Sequence, residues 1–177
     1  FNIVENTASA LYTAISTDTG NFKYDNTTSK TFDIISDLMQ SGLNLGKVST
    51  KIYNEKSIAS ILLIRDALQT LNFSDDKKIA WIEVDDELLR KCGAKDEDVD
   101  GLINYTIIIK DVEAGLLFRN KKTGETKVGF RSKKVDVSAI ASKLGGGGHK
   151  KAAGCSVKGN IEEVKYKIFD ELYQYLK

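Results

Sequence analysis

The chain has 177 residues, with 26 Lys and Arg against 25 Asp and Glu, a formal net charge of +1, one histidine, two cysteines and no proline. A hydrophobic fraction of 41% excludes a disordered chain, and Cys92 and Cys155 are too few and too far apart for a disulfide scaffold or a zinc ribbon. No apolar run approaches the ~20 residues of a membrane span and residues 1–5 form no signal sequence, so the expected setting is cytoplasmic, without a membrane partner.

Residues 8–16 read as a buried helix leading into the turn Thr17-Asp18-Thr19-Gly20. Residues 28–41 read as an amphipathic helix. Phe32, Ile35, Leu38 and Met39 fall at 3–4 spacing, Thr27 or Thr28 caps the start, and Gly42 stops it. Two more helical stretches follow, 46–56 and 57–72. The second has Ser57 as N-cap and a stripe of Ile58, Ile61, Leu62, Arg65, Leu68 and Leu71. The period then changes. Residues 79–84 are a compact strand, and Asp85-Asp86 caps a short helix. Residues 105–109, 114–119 and 125–131 read as strands, the last two joined by the turn Lys121-Lys122-Thr123-Gly124. Asp136 caps a helix that buries Val137, Ile140, Ala141 and Leu144. The last helix starts at Asn160 with Glu163 three residues on, a capping-box variant, and its stripe is Ile161, Val164, Ile168, Leu172 and Leu176. Helices alternating with strands predict an α/β chain of the α+β kind, with a mixed sheet and flanking helices in the C-terminal part. The expected domains are residues 1–56 and 57–177.

The near-zero net charge conceals two blocks. Residues 75–113 carry 6 basic and 12 acidic side chains; residues 114–160 carry 11 basic and 2 acidic. The basic block also holds the glycine run and the sole histidine, which marks it as an anion-binding surface. In Gly145-Gly146-Gly147-Gly148-His149-Lys150-Lys151-Ala152-Ala153-Gly154, four residues without a Cβ let the backbone approach a ligand and aim N–H groups at one anion. A helix start after the run would add its positive end. A nucleotide P-loop is excluded, because Lys150 is followed by Lys151 rather than Ser or Thr.

This run resembles the signature of the substrate-binding domain that follows the catalytic domain in DHH-family phosphoesterases. Gly129-Phe130-Arg131-Ser132 and Val135 to Ala141 resemble the segment leading into it. A second match, Leu11 to Phe22 with Asn26-Thr27-Thr28 and Thr31-Phe32, resembles the last motif of the catalytic domain. The resemblance is to the nanoRNase and 3′-phosphoadenosine phosphatase branch, related to RecJ-like exonucleases, and covers essentially the whole chain. It implies that residues 1–56 are the end of the catalytic domain plus a linker helix, and that 57–177 bind substrate. It further implies a pair of Mn²⁺-type ions that activate a water for attack on a phosphodiester, with Asp18 as one metal ligand. Arg131, Gly146, Gly147, Gly148, His149 and Lys150 would hold the phosphate or terminal nucleotide, Arg131 by its planar fork.

The Asp-His-His that names the family and its other metal ligands are absent from the sequence. The chain is therefore expected to be inactive by itself, its catalytic N-terminal half missing. The expected ligand is a short single-stranded RNA or a nucleotide 3′,5′-bisphosphate. Alternatives are a cyclic-dinucleotide phosphodiesterase, a stand-alone nucleic-acid binding module, or the tail of an alanyl-tRNA synthetase. Phe118, Phe130 and Tyr105 are expected in the core rather than stacked on bases, and both cysteines are expected to be buried thiols. The sequence leaves the oligomeric state open.

Overall fold

The computed structural model describes residues 3–176. The chain divides into two compact units, Phe1–Lys56 and Ser57–Lys177. No helix among the described residues is long and apolar enough to cross a membrane.

The first unit is helical: α1 (Glu5–Asp18), α2 (Ser29–Gln40), α3 (Leu45–Ser49) and a π-helical turn, Thr50–Asn54. Its small core is Ala8, Tyr12, Ile35, Leu38 and Leu43. α2 begins on a reciprocal capping box, with Thr28 as N-cap and Thr31 at the third helical position; two donors that a helix start leaves unpaired are thereby satisfied. Ile35 and Leu38 are buried as the periodicity predicts, whereas Phe32 and Met39 are more than half exposed. The turn expected at Thr17 starts later. Thr17 and Thr19 donate their hydroxyls back to Thr13 O and Ile15 O, α1 continues to Asp18, and the reversal runs through Gly20, Asn21 and Phe22, all at positive φ.

The second unit is a three-layer sandwich around a six-stranded sheet of order β1-β2-β3-β4-β6-β5. The strands are β1 (Asn72–Phe73), β2 (Ile79–Val84), β3 (Ala114–Lys121), β4 (Glu125–Ser132), β5 (Gly147–His149) and β6 (Ala152–Lys158). β2 and β3 run parallel and all other neighbours antiparallel. The helices are α4 (Ile58–Ala67), α5 (Asp86–Cys92), α6 (Asn104–Ile107), α7 (Val137–Lys143) and α8 (Ile161–Tyr175). One face of the sheet gives Leu116, Phe118, Val128, Phe130, Ala153 and Cys155 to a core closed by α7 and α8. Fully burying each phenylalanine contributes roughly 1.5–3 kcal/mol. The other face, at Ile82, Val84 and Leu117, is closed by α4, α5 and residues 99–103.

Three expectations fail here. Residues 105–109 are not a strand: α6 is a helical turn in which Thr106 donates to Ile103 O at 2.7 Å. Thr106 is fully buried over Gly115, so packing on the sheet overrides the strand preference of a β-branched run. The helix expected through residue 72 ends at Ala67. Thr70 Oγ1 donates to Ala67 O and Glu83 O and accepts from Glu83 N, which pulls the chain into β1. The expected stripe of α4 is also misplaced. Ile58 and Ile61 are exposed, and the buried side is Leu63, Asp66 and Ala67. Asp66 is held there by Arg65 at 2.6 Å and Lys91 at 2.9 Å, which keep its carboxyl well below the usual range. The stripe of α8 holds at Val164, Ile168 and Leu172, as do the caps Asp85, Asp136 and Asn160.

Candidate functional site

The glycine run does not lead into a helix. Its first half ends α7 and its second half is β5, the edge strand of a hairpin with β6 whose turn is Lys150-Lys151. Gly145 lies at φ +76° and donates to Ser142 O, while Gly146 donates to Ala141 O at 2.8 Å. This pairing lets the last carbonyls of a helix bond as the chain turns away. A Cβ on Gly146 would sit 2.1 Å from Gly154 O, and one on Gly148 would sit 2.5 Å from Ala153 Cα. Gly147, by contrast, has open space where a Cβ would go. Close packing on Ala153-Gly154-Cys155 therefore accounts for two glycines and the positive φ of a helix end for a third, which leaves Gly147 with neither constraint.

Strand register assembles the rest. Arg131 pairs with Ala152, and Ala152 with His149. Residues directly opposite one another point to the same face, so Arg131, Ala152 and His149 form one cross-strand row. Arg131 and His149 stand two strand spacings apart, about 10 Å. The next row is Gly129, Gly154 and Gly147, and beyond it Lys127 pairs with Ser156. This is the face that α4–α6 cover over β2 and β3; on β4, β6 and β5 the cover ends at Ile103, whose Cδ1 would lie 3.2 Å from a Cβ on Gly129. A row without side chains is thus bordered by Arg131 and His149 on one side and by Lys127 on the other. Beside it lies a groove of about 570 Å³, with Val99, Asp100, Leu117, Lys127, Gly129 and Gly154 among its lining residues.

The hairpin turn is fixed from behind. Lys150 O accepts from Val137 N and Lys151 O from Ser132 N, each at 3.0 Å. Lys150 also lies close enough to Asp136 to help hold its carboxyl down, after the larger effects of the Ser138 hydroxyl and the Ala139 and Ser138 backbone N–H groups. Arg131 donates to Phe130 O at 3.0 Å and has no carboxylate partner among the described residues.

The two charge blocks of the sequence meet in the fold. Arg119 is buried and paired with Asp86, and with Asp96 at 2.8 Å. The Lys122 backbone N–H together with Arg119 holds Asp86 below the usual carboxylate range, and Arg119 does the same for Asp96. Lys121 pairs with Asp96, Lys134 with Glu113 and Lys143 with Glu171. The basic block is therefore partly neutralised, and Lys127, Arg131 and Lys150 are among those of its residues with no carboxylate ion-pair partner among the described residues. Phe118 and Phe130 are fully buried, and burial pushes the Cys155 thiol up to about 11, so neither the rings nor this thiol serve chemistry.

Asp18 belongs to the first unit, at the end of α1, where Asn26 donates to its carboxylate at 3.2 Å. Among the described residues no three His, Cys, Asp or Glu side chains come together to hold a metal ion. Asp18 offers one carboxylate and the residues present do not fit a metal centre by themselves. The sequence reading singled out Arg131, His149 and the glycines. It missed Gly129, Lys127, Ser156 and the groove-lining Val99 and Asp100. The strand alternation of 125–131 and 152–158 carried the signal for Lys127, Gly129 and Ser156; nothing local marked Val99 or Asp100.

The family model for the DHHA1 domain matches residues 76–177. A bifunctional oligoribonuclease and PAP phosphatase NrnA of Thermus thermophilus is 32% identical over 173 residues, 96% of this chain and 51% of its own length. A probable protein of the same name from Streptococcus mutans is 28% identical over 96% of this chain and 52% of its own. The chain thus spans about half the length of the curated relatives it matches. The crystal structure of an exopolyphosphatase-related protein from Bacteroides fragilis superposes with a TM-score of 0.86 at 29% identity, covering 96% of this chain and 50% of that one.

Proposed function

The chain belongs to the DHHA1 domain family, and from that premise we propose that its second unit holds the substrate of a metal-dependent phosphodiesterase acting on very short RNA or on adenosine 3′,5′-bisphosphate. The observation that carries this is the cross-strand row of Arg131, Ala152 and His149 beside a sheet row of three glycines. Arg131 is the phosphate ligand, since its fork matches two phosphate oxygens at once. Lys150 adds a point charge, and His149 a donor. Gly147, on an edge strand, lets the same anion approach the backbone without a side chain in the way. Gly146 and Gly148 contribute by keeping β5 tight against β6.

Hydrolysis needs metal ligands that the described residues do not assemble. Asp18 is the one residue of this chain assigned to such a centre, of Mn²⁺ or another divalent ion, and the chain alone is expected to bind without turnover. The relatives named as oligoribonuclease and PAP phosphatase support this reading.

The test is a calorimetric titration of the chain with a 5′-phosphorylated diadenylate. With two phosphate charges neutralised, binding should weaken about sevenfold between 50 and 200 mM salt, and Arg131→Ala and His149→Ala should each weaken it strongly. Equal binding by both variants and the parent would overturn the assignment.

A further inference from the structure

The phosphate row accounts for only one side of the glycine strip. On its other side the groove of about 570 Å³ has the size of a small-molecule site and a different chemistry. Val99 and Leu117, both nearly buried, are its apolar walls. Ile103 covers Gly129, so the floor is Gly154, whose bare peptide plane admits a flat ring to van der Waals distance. Arg119, although it lines the groove, is committed to Asp86 and Asp96. Asp96 in turn is committed to Arg119 and Lys121. Asp100 also lines the groove; it is exposed, and its carboxylate has no hydrogen-bond or ion-pair partner among the described residues. Lys127 lines the groove as well, which leaves Asp100 as its one carboxylate without a partner among the described residues, able to accept hydrogen bonds from a neutral donor.

We infer that this groove is a nucleobase subsite and that Asp100 selects bases bearing an exocyclic amine. The inference rests on the phosphate assignment above, because that row anchors the nucleotide whose base enters the groove. Adenine and cytosine each present an amino group that donates to a carboxylate. Uracil has no exocyclic amine: where adenine and cytosine carry one it has the O4 carbonyl, which meets Asp100 lone pair to lone pair, and its single N3–H is flanked by two such oxygens. The floor is sequence-tolerant, since every base has a flat face, so discrimination comes from the rim. The groove also separates nucleotides from bare phosphate chains: a polyphosphate has nothing to place between Val99 and Leu117.

Two 5′-phosphorylated dinucleotides, diadenylate and diuridylate, are titrated against the parent, Asp100→Asn and Arg131→Ala by calorimetry at fixed salt. Asp100 is exposed and outside every helix and strand, so its amide variant folds like the parent. The parent should bind diadenylate about tenfold more tightly than diuridylate, the low end of what one hydrogen bond to a charged group supplies. In Asp100→Asn the preference should collapse to about twofold, because an amide donates to uracil as readily as it accepts from adenine. Arg131→Ala should weaken both ligands by the same factor and leave their ratio intact. Equal parent binding of the two dinucleotides, with Arg131 still required, would overturn the base subsite and spare the phosphate row. Binding that ignores Arg131 would overturn the reading on which the inference rests.

Discussion

The two halves of one sheet face make opposite use of the same residue types. Over β2 and β3, glycine and arginine serve packing: Gly115 exists to receive Thr106, and Arg119 is buried between two aspartates. Over β4, β6 and β5 the cover reaches only to Ile103 above Gly129; Gly154 and Gly147 lie beyond it, and Arg131 has no carboxylate partner among the described residues. The difference lies in the third layer. Where helices close over the strands, a missing side chain makes room for a neighbour and a charge must be paired; where they stop, the same missing side chain makes room for a ligand.

One added methyl group on each half separates the two uses of glycine. A Cβ on Gly115 would lie 2.1 Å from Thr106 Oγ1 and 3.1 Å from Ile107 N, so Gly115→Ala should cost about 2–3 kcal/mol, as overpacked cores do, read as a lower urea midpoint. Gly147→Ala is the control, with effects at the small end of the scale. Its stability should stay within about 0.5 kcal/mol of the parent, while diadenylate affinity falls several-fold. If Gly147→Ala unfolds the hairpin, the strip is structural and not a ligand surface.

Between these extremes lies the pair of arginines. Arg119→Met removes the partner of two partly solvated carboxylates and should cost about 1–2 kcal/mol, less than for a fully buried pair. The sign of its pH dependence follows from the lowered carboxyl groups of Asp86 and Asp96. Their contribution is present above the unfolded carboxylate range near ~3.9 and is lost as pH falls through the lower folded values. Parent and variant should therefore differ most at pH 7 and converge below about pH 4, as followed by denaturation at each pH. Arg131→Ala should leave stability unchanged and reduce only binding.

Local chemistry made much of this fold legible. The caps at Thr28, Ser57, Asp85, Asp136 and Asn160, the alternation of β4 and the stripe of α8 each depend on residues within a turn or two of one another. The glycine-histidine motif and the segment around Arg131 pointed to an anion site, although the helix expected after the glycines is a hairpin. The tertiary structure alone decided the rest. Ile107-Ile108-Ile109 has strand propensity, yet Thr106 seats on Gly115 and the run becomes the end of a helical turn and a bend. The side of α4 that enters the core is set by β2 beneath it. Charge blocks that are separate along the chain meet as Arg119 with Asp86 and Asp96, so a basic stretch in the sequence overstates the field that a ligand meets.

A sequence by itself determines where helices begin, which residues alternate and which short motifs offer an anion a cradle, because those depend on neighbours a few residues away. Which glycines are packed and which lie open, and which arginine is spent on the fold and which is left for a ligand, depends on a cover of helices brought from other parts of the chain. That information exists only once the sheet has closed.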